Sequence, residues 1–157
     1  MILKFKQKMF SLAGKYQIFD EQDQVVYTIK GRVSIPKRFE ISDASGQKVA
    51  TLKSKVFDFL PTFRLFMGDE EIGKVKRKFS FFKPKFAVDC NGWSINGDIW
   101  TWNYQIVDAN GELVATLTKK VFSLVDTYFM DIVNPDNALM VLMVVLAIDA
   151  EKAERGR

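Results

Sequence analysis

An unbroken run of eleven apolar residues constrains this chain more than any other feature of its sequence. The run covers residues 138–148 and lies within the segment PDNALMVLMVVLAID. Asn134 can cap a helix, Pro135 suits a first helical position, and Asp136 complements the positive end of the helix dipole. The pattern therefore predicts a helix over residues 135–149 that has no face suited to water.

The length of this run decides between a membrane anchor and a buried helix. At about 1.5 Å per residue the run reaches only ~16 Å, whereas the hydrocarbon layer of a bilayer is about 30 Å thick. Charged residues at Asp149, Glu151 and Lys152 then end it. A transmembrane span is therefore not expected, and a helix that is apolar all round has to be enclosed by protein.

An internal repeat indicates what encloses the helix. Residues 39–65 (FEISDASGQKVATLKSKVFDFLPTFRL) match residues 104–130 (YQIVDANGELVATLTKKVFSLVDTYFM) at twelve of 27 positions without gaps. A fainter third copy, YQIFDEQDQVVYTI, covers residues 16–29. Each copy has two alternating β-rich runs around a turn with Asp, Asn or Gly, which predicts an antiparallel hairpin.

Counting such runs gives roughly ten to twelve strands, nearly all joined by hairpins. A barrel of about twelve tilted strands is ~24 Å across at the backbone and has a bore of about 14 Å inside its side chains. That bore matches an α-helix ~10–12 Å wide. We therefore predict a mainly β fold, a closed antiparallel barrel of about 12 strands that encloses the hydrophobic C-terminal α-helix. It forms a single domain over residues 1–150, followed by a polar tail over residues 151–157.

The composition narrows the chemistry that the chain can support. There is no histidine and only one cysteine, Cys90, so the commonest general base, the commonest metal ligand and any internal disulfide are missing. Asp20, Asp43 and Asp108 occupy the same turn position in the three copies, which predicts a role in turn geometry and not in acid–base chemistry. We expect no catalytic residues, no enzymatic activity, no metal site and no cofactor.

The charge and the start of the chain suggest a compartment. The formal net charge of +4 is a mild basic bias. The opening MILKFKQKMF lacks the continuous apolar core of a signal peptide, and a lone cysteine fits a reducing environment. A cytoplasmic protein is expected, with peripheral association at a membrane as a further option.

The main candidate binding site is the stretch GKVKRKFSFFKPKF, residues 73–86. Its five candidate residues for an anionic ligand are Lys74, Lys76, Lys78, Lys83 and Lys85. The first three fall on one face of a predicted strand, and the other two extend the charge around a turn beside Phe81 and Phe82. Basic side chains near a membrane contribute ~1 kcal/mol each and aromatic rings favour the interface, so the stretch predicts a site for phospholipid or phosphoinositide headgroups.

The same lysine pattern has two other interpretations. A solvated outer barrel face, on which lysines prevent edge-to-edge aggregation, is the favoured interpretation of the stretch taken alone. Nucleic acid fits less well, because clustered arginines and an aromatic RNA-binding platform are missing, and we expect no nucleic-acid partner.

Three tryptophans, Trp93, Trp100 and Trp102, lie close to Cys90 in the sequence. A ligand slot lined by indoles, of the kind that binds carbohydrate, is one interpretation. The favoured interpretation is a packed wall at one end of the barrel, with Trp100 and Trp102 on a shared face. Cys90 is expected to be a small buried or half-buried apolar residue.

The order of these segments resembles a known family. RFEISDASGQKVATL, its echo NYQIVDANGELVATL, the opening KQKMFSLAGKYQIFDEQDQVVYTIKG and the closing ALMVLMVVLAID are similar to the LURP-one-related (YxjI-like) family of the Tubby C-terminal-like superfamily. The resemblance covers the chain to about Ala150 and implies the same barrel with a central helix. Relatives in that superfamily include Tubby proteins, which bind phosphoinositide headgroups, and phospholipid scramblases, while the plant members are linked to defence.

The leading functional hypothesis is a non-catalytic intracellular binding or adaptor module that associates with an anionic membrane surface through a basic barrel face. The alternative is a protein–protein interaction module of stress or defence type with an unidentified protein partner. Scramblase activity is disfavoured, because the enclosed helix would have to leave its core.

Overall fold

The structure is a computed structural model and describes residues 1–6, 14–32, 36–55, 59–81, 85–122 and 125–155. Among these residues, twelve antiparallel strands form one sheet that curls into a nearly closed barrel, followed by one α-helix. The strands are β1 (Ile2–Phe5), β2 (Gly14–Phe19), β3 (Val25–Arg32), β4 (Arg38–Asp43), β5 (Lys48–Ser54), β6 (Thr62–Met67), β7 (Glu70–Lys78), β8 (Lys85–Asp89), β9 (Ser94–Asp98), β10 (Asn103–Val107), β11 (Leu113–Phe122) and β12 (Val125–Ile132), and the helix is α1 (Ala138–Arg155). The predicted mainly β fold with about twelve strands is confirmed.

The strand order explains why the barrel is nearly closed and not fully closed. The order is β8-β7-β6-β5-β4-β3-β2-β1-β12-β11-β10-β9, so the first and last strands of the chain are neighbours. The amino group of Met1 supports this pairing by donating a hydrogen bond of 3.0 Å to the carbonyl of Ile132. In the described part of the chain, β8 and β9 share no ladder of hydrogen bonds and form a seam in the wall.

The three repeat copies fold into three hairpins of one design, β2–β3, β4–β5 and β10–β11. The Oδ1 atom of Asp43 accepts hydrogen bonds from the amides of Ser45 and Gln47 at 2.9 and 3.1 Å. Asp20 and Asp108 accept the equivalent pairs of bonds in the other two hairpins. The predicted turn role of these aspartates is confirmed.

The helix α1 lies inside the barrel. Every residue from 141 to 150 is buried, so all faces of the helix are covered. Because the described chain has a single sheet, only its concave side can cover a helix all round. Inward-facing residues of strands around the barrel, including Leu3, Ile29, Leu65 and Leu117, belong to the same core as the helix. The predicted enclosure is confirmed.

The bounds of the helix differ from the predicted residues 135–149. A short 3₁₀ turn, Pro135–Asn137, comes first, and the side chain of Asn134 accepts a hydrogen bond of 3.0 Å from the amide of Asp136. The α-helix then continues to Arg155. The predicted helix end at residue 149 and the polar tail from residue 151 are therefore wrong.

Charged residues near the end of α1 are buried because they have partners on the wall. Glu151 lies 3.6 Å from Arg77 of β7, measured from Oε1 to Nη1. Lys152 donates a hydrogen bond to the carbonyl of Ile99 and lies 3.6 Å from Asp149. Since these contacts compensate charge at the mouth of the barrel, the helix can extend beyond its apolar run.

The barrel has two different ends. At the lower end, where β7 begins, tight turns such as those at Asp43 and Asp108 connect the strands. At the upper end, where β7 ends and β8 begins, α1 also ends, since Lys152 reaches Ile99 directly after β9.

Among the described residues, no helix combines the length and apolar character that a bilayer span requires.

Candidate functional site

The predicted basic stretch is presented by β7 and β8 on the outer surface of the barrel. Val75 is buried, so the alternating side chains of Lys74, Lys76 and Lys78 point outward, as predicted. Lys85 begins β8 directly opposite Lys78. These four residues are called the lysine strip below. The fifth candidate, Lys83, lies outside the described residues, as do Pro84 and Phe82.

Two lysines of this strip face each other without a neutralising carboxylate. Lys78 and Lys85 are cross-strand partners and both are exposed. Among the residues that the structure describes, neither has a salt-bridge partner. Like charges directly opposite each other destabilise a strand pair, so this arrangement favours binding of an anion between the two ammonium groups.

The register of the sheet reveals a second basic feature that the sequence reading missed. Five basic residues on five consecutive strands are direct cross-strand partners and form a basic row: Arg32, Arg38, Lys53, Arg64 and Lys74. At about 4.8 Å between neighbouring strands, the row is roughly 19 Å long. Its last member belongs to the lysine strip, so the two features form one continuous basic face.

Some of the charge in the basic row is compensated locally. Glu40 lies 3.4 Å from Arg32 and 3.5 Å from Arg38. Glu71 lies 2.7 Å from Arg64, and the hydrogen bond from Arg64 is the main reason that the pKa of Glu71 is below its usual value. Glu40 and Glu71 lie next to the basic row, and their negative charges offset part of the repulsion between its like-charged members.

Two members of the basic row, Lys53 and Arg64, lie over the aromatic ring of Phe66. The Lys53 ammonium lies 5.1 Å from the ring centroid and the Arg64 guanidinium 5.0 Å, within cation–π range. Beside them is an open groove of about 190 Å³. Its lining includes Arg38, Lys48, Thr51, Lys53, Phe66, Gly68 and Asp69. The groove offers cationic and hydroxyl groups over an aromatic surface, but Asp69 makes it less favourable for a strongly charged anion.

The exposed aromatic side chains lie at the upper end of the barrel. Phe79 and Phe81 follow β7 and are 70% and 86% exposed, and their rings contact edge to face at 5.2 Å between centroids. Phe59 precedes β6 and is 93% exposed. Trp100 follows β9 and is 37% exposed. The large exposed apolar residues described at the lower end, such as Leu113 and Val133, are aliphatic.

The tryptophan prediction is correct in part. Trp93 and Trp102 are buried in the core, as expected of a packed wall. Trp102 contacts Phe5 and Tyr128 edge to face, with 5.4 and 4.8 Å between ring centroids. The predicted shared face with Trp100 is wrong, because residues 99–102 form a turn between β9 and β10 and Trp100 faces solvent.

The groups most often used in catalysis do not gather at this surface. Cys90 is buried as predicted, and its burial raises the pKa of the thiol, which keeps it in the less nucleophilic form. Across the ranges that the structure describes, no three cysteine or carboxylate side chains converge in a way that could hold a metal ion. The described basic face presents positive charge, with exposed aromatic side chains next to it.

The basic row could have been found from the sequence only by pairing residues across the turns. Its members lie on different strands and do not form a motif along the chain. In the β4–β5 hairpin that pairing also has to include the register shift between Ile41 and Ser42, which places Arg38 opposite Lys53 and not opposite Leu52. The lysine strip was easier to find, since three of its members alternate within one strand.

Two comparisons place the chain among known proteins. The sequence profile of the LURP-one-related family matches residues 1–149. The uncharacterised protein YxjI of Bacillus subtilis (strain 168) is 30% identical over 149 residues, which is 94% of this chain and 91% of that protein. The match runs from β1 into α1 and so includes the whole barrel. The chain belongs to the LURP-one-related family.

Proposed function

We propose that this protein is a cytoplasmic, non-catalytic binding module that associates peripherally with anionic phospholipid surfaces. The contact surface consists of the upper end of the barrel together with the lysine strip and the basic row. The observation that carries the proposal is that exposed aromatic side chains and the exposed lysine pair Lys78 and Lys85 share this end of the barrel.

The aromatic side chains supply the apolar part of the contact. Phe59, Phe79 and Phe81 expose most of their surface to water, which is unfavourable in the free protein. Seating such rings at the boundary between headgroups and acyl chains removes them from water. All three lie at the same end of the barrel, next to the lysine strip.

The lysines supply the electrostatic part of the contact. Lys78 and Lys85 flank the segment that carries Phe79 and Phe81. Lys76 lies two residues before Lys78 in β7. At about 1 kcal/mol for each basic side chain near an anionic surface, these three lysines contribute ~3 kcal/mol at low salt. This term weakens at physiological ionic strength, because mobile ions screen it.

The internal repeat shows that the fold does not require the basic row. Arg38, Lys53 and Arg64 correspond, 65 positions later, to Asn103, Thr118 and Phe129. Thr118 and Phe129 are paired across β11 and β12 in the same way as Lys53 and Arg64 are paired across β5 and β6. The same wall is therefore built with uncharged residues in the second half, which supports a binding role for the charges in the first half.

Co-sedimentation with liposomes tests the proposal. The protein is mixed with vesicles of phosphatidylcholine alone or with added phosphatidylserine or phosphoinositide, at low and at physiological salt. We expect binding to anionic vesicles that weakens with salt and little binding to neutral ones. Equal recovery with neutral and anionic vesicles at low salt would overturn the proposal.

Matched variants locate the contact. The triple variant Lys76→Ala, Lys78→Ala and Lys85→Ala is expected to lower the partition coefficient on the order of 100-fold at low salt. The control replaces Lys15, Lys30 and Lys120 by alanine, which removes the same charge from exposed positions on β2, β3 and β11, away from the lysine strip. For the aromatic part, Phe59→Ser with Phe81→Ser is compared with Leu113→Ser and Val133→Ser at the lower end.

The same variants separate the proposal from a protein-binding role. If the protein does not bind any vesicle but the two phenylalanines are still needed to capture a protein partner, the upper end is a protein interface. Exposed aromatic anchors are typical of both kinds of contact, but clustered lysines are depleted in protein interfaces. That depletion is why we favour the membrane surface.

A further inference from the structure

The seam between β8 and β9 leaves part of the barrel core uncovered. Val88 is opposite the buried residue Val75, and Ile95 is opposite the buried residue Ile106, so both point toward the interior. Phe86 points the same way by strand alternation. Nevertheless, all three are only half-buried, whereas inward-facing residues such as Ile29, Leu65 and Leu117 elsewhere in the wall are completely buried.

On each side of the seam, the edge strand is paired with its other neighbour. β9 packs closely on β10 at Gly97, where an added Cβ atom would lie 2.7 Å from the carbonyl oxygen of Asn103 and 2.8 Å from Cα of Tyr104. This close contact holds β9 to its neighbour on the side away from β8. β8 is held in the same way by its ladder with β7.

A cavity of about 250 Å³ lies at the seam near the upper end. Its lining residues are Lys78, Lys85, Phe86, Ile95, Gly97 and Ile99. Apart from Gly97, the lining consists of the two exposed lysines and three less exposed apolar side chains, those of Phe86, Ile95 and Ile99. The cavity is therefore suited to a molecule with an anionic end and an apolar body.

The size of the cavity limits the width of that molecule. Pockets for drug-sized ligands usually measure about 300–1,000 Å³, so this cavity lies below that range. It can take one narrow chain but not the two chains of a diacyl phospholipid. An extended peptide that paired along the whole seam would have to pass the turn at residues 90–93, which joins β8 directly to β9.

We propose that the seam binds a single acyl chain that carries an anionic headgroup. The headgroup lies between Lys78 and Lys85, which are direct cross-strand partners without a carboxylate of their own among the described residues. The chain lies on Phe86, Ile95 and Ile99 and covers the exposed edge of the core. This site goes beyond association with a bilayer and does not depend on it, since the ligand binds as a monomer.

Isothermal titration calorimetry in the absence of vesicles tests this site. Four probes are used below their aggregation concentrations: decanoate, decyl phosphate, decan-1-ol and inorganic phosphate. We expect saturable binding of decanoate and decyl phosphate, and at least about tenfold weaker binding of the uncharged alcohol and of phosphate without a chain. The tighter of the two anions distinguishes a fatty acid from a lysophospholipid as the source of the ligand.

Two variants localise the binding. Lys78→Ala with Lys85→Ala is expected to weaken binding of the anionic probes about tenfold and to leave decan-1-ol unchanged. Lys15→Ala with Lys30→Ala is the matched control, because these lysines are also exposed cross-strand partners. Ile95→Trp fills the cavity and should abolish binding of all chains. The double lysine variants change only exposed side chains, so they decide the outcome even if Ile95→Trp does not fold.

The proposal is overturned by any of three results. These are the absence of saturable binding of both anionic probes, equal affinity for decanoate and decan-1-ol, and an equal loss in the two lysine double variants. Each of these results leaves the liposome experiment unaffected, so failure at the seam is distinguishable from failure of membrane association.

Discussion

The ammonium group of Lys152 donates a hydrogen bond to the main-chain carbonyl of Ile99, 53 residues earlier in the chain. Lys152 is buried, and its ammonium lies 5.8 and 5.5 Å from the ring centroids of Trp100 and Trp102. This contact fixes the end of α1 to the turn between β9 and β10. It joins the helix to the barrel at the upper end, where the wall is interrupted by the seam.

Replacing Lys152 is therefore expected to destabilise the whole fold. Lys152→Met keeps most of the side-chain volume but removes the donor to the Ile99 carbonyl and the ammonium group 3.6 Å from the buried Asp149 carboxylate. We expect a loss of about 2–4 kcal/mol in the free energy of unfolding, measured by urea denaturation at neutral pH. Lys48→Met, at an exposed position, should change it by less than about 0.5 kcal/mol. Equal stability of the two variants would show that the contact is dispensable.

A charge in the middle of α1 is expected to prevent folding. Val144 is fully buried inside the barrel, so Val144→Lys would place an ammonium group in the core with no described acidic partner beside it. We expect loss of soluble, cooperatively unfolding protein, assessed by size-exclusion chromatography and thermal denaturation. Val121→Lys makes the same change at an exposed position and should be tolerated. A soluble, cooperative Val144→Lys protein would contradict the enclosed position of the helix.

The stability of the protein should fall in alkaline solution because of Tyr128. Burial raises the pKa of Tyr128 to about 12, with smaller contributions from the negative charges of Asp126 and Asp149. Because the folded-state pKa lies above the unfolded value near 10, this contribution is fully present below pH ~10 and is lost as pH rises through ~12. We expect wild type to lose about 2 kcal/mol more than Tyr128→Phe between pH 9 and pH 12. Parallel pH profiles of unfolding free energy would contradict this assignment.

Gly73 is expected to be required for steric reasons. An added Cβ atom would lie 2.5 Å from the carbonyl oxygen of Asp89 and 2.7 Å from Cβ of Cys90, so β7 and β8 would have to separate. We expect Gly73→Ala to cost about 2–3 kcal/mol in chemical denaturation. Gly68→Ala is the control, since Gly68 has a positive φ but open space, and should cost about 1 kcal/mol. A smaller cost at Gly73 than at Gly68 would refute the steric argument.

The architecture could be predicted because the sequence repeats its own turns. The aspartates at residues 20, 43 and 108 each precede a turn and identify three equivalent hairpins. The apolar run at residues 138–148 then leaves the interior of the sheet as the only place for the helix. Turn-forming residues and a long apolar run that has to be buried are both features of short stretches of sequence, so they can be recognised without coordinates.

Features that depend on contacts between distant residues could not be predicted in the same way. The sequence predicts a polar tail at Glu151 and Lys152, because nothing near them in sequence shows that Arg77 and the Ile99 carbonyl are available. The basic row was missed for the same reason, since the register alone places Arg38 opposite Lys53. The seam follows from the position of β1 between β2 and β12, which no local pattern encodes.

The helix that fills the barrel follows all twelve strands in the chain. During synthesis the wall is therefore made before the residues that its inner surface packs against. Until residues 138–155 leave the ribosome, the inward apolar side chains have no partner, and the nascent strands are open to aggregation and to chaperones. We expect this protein to gain its native structure in a single late step, when the helix docks and the strands close around it.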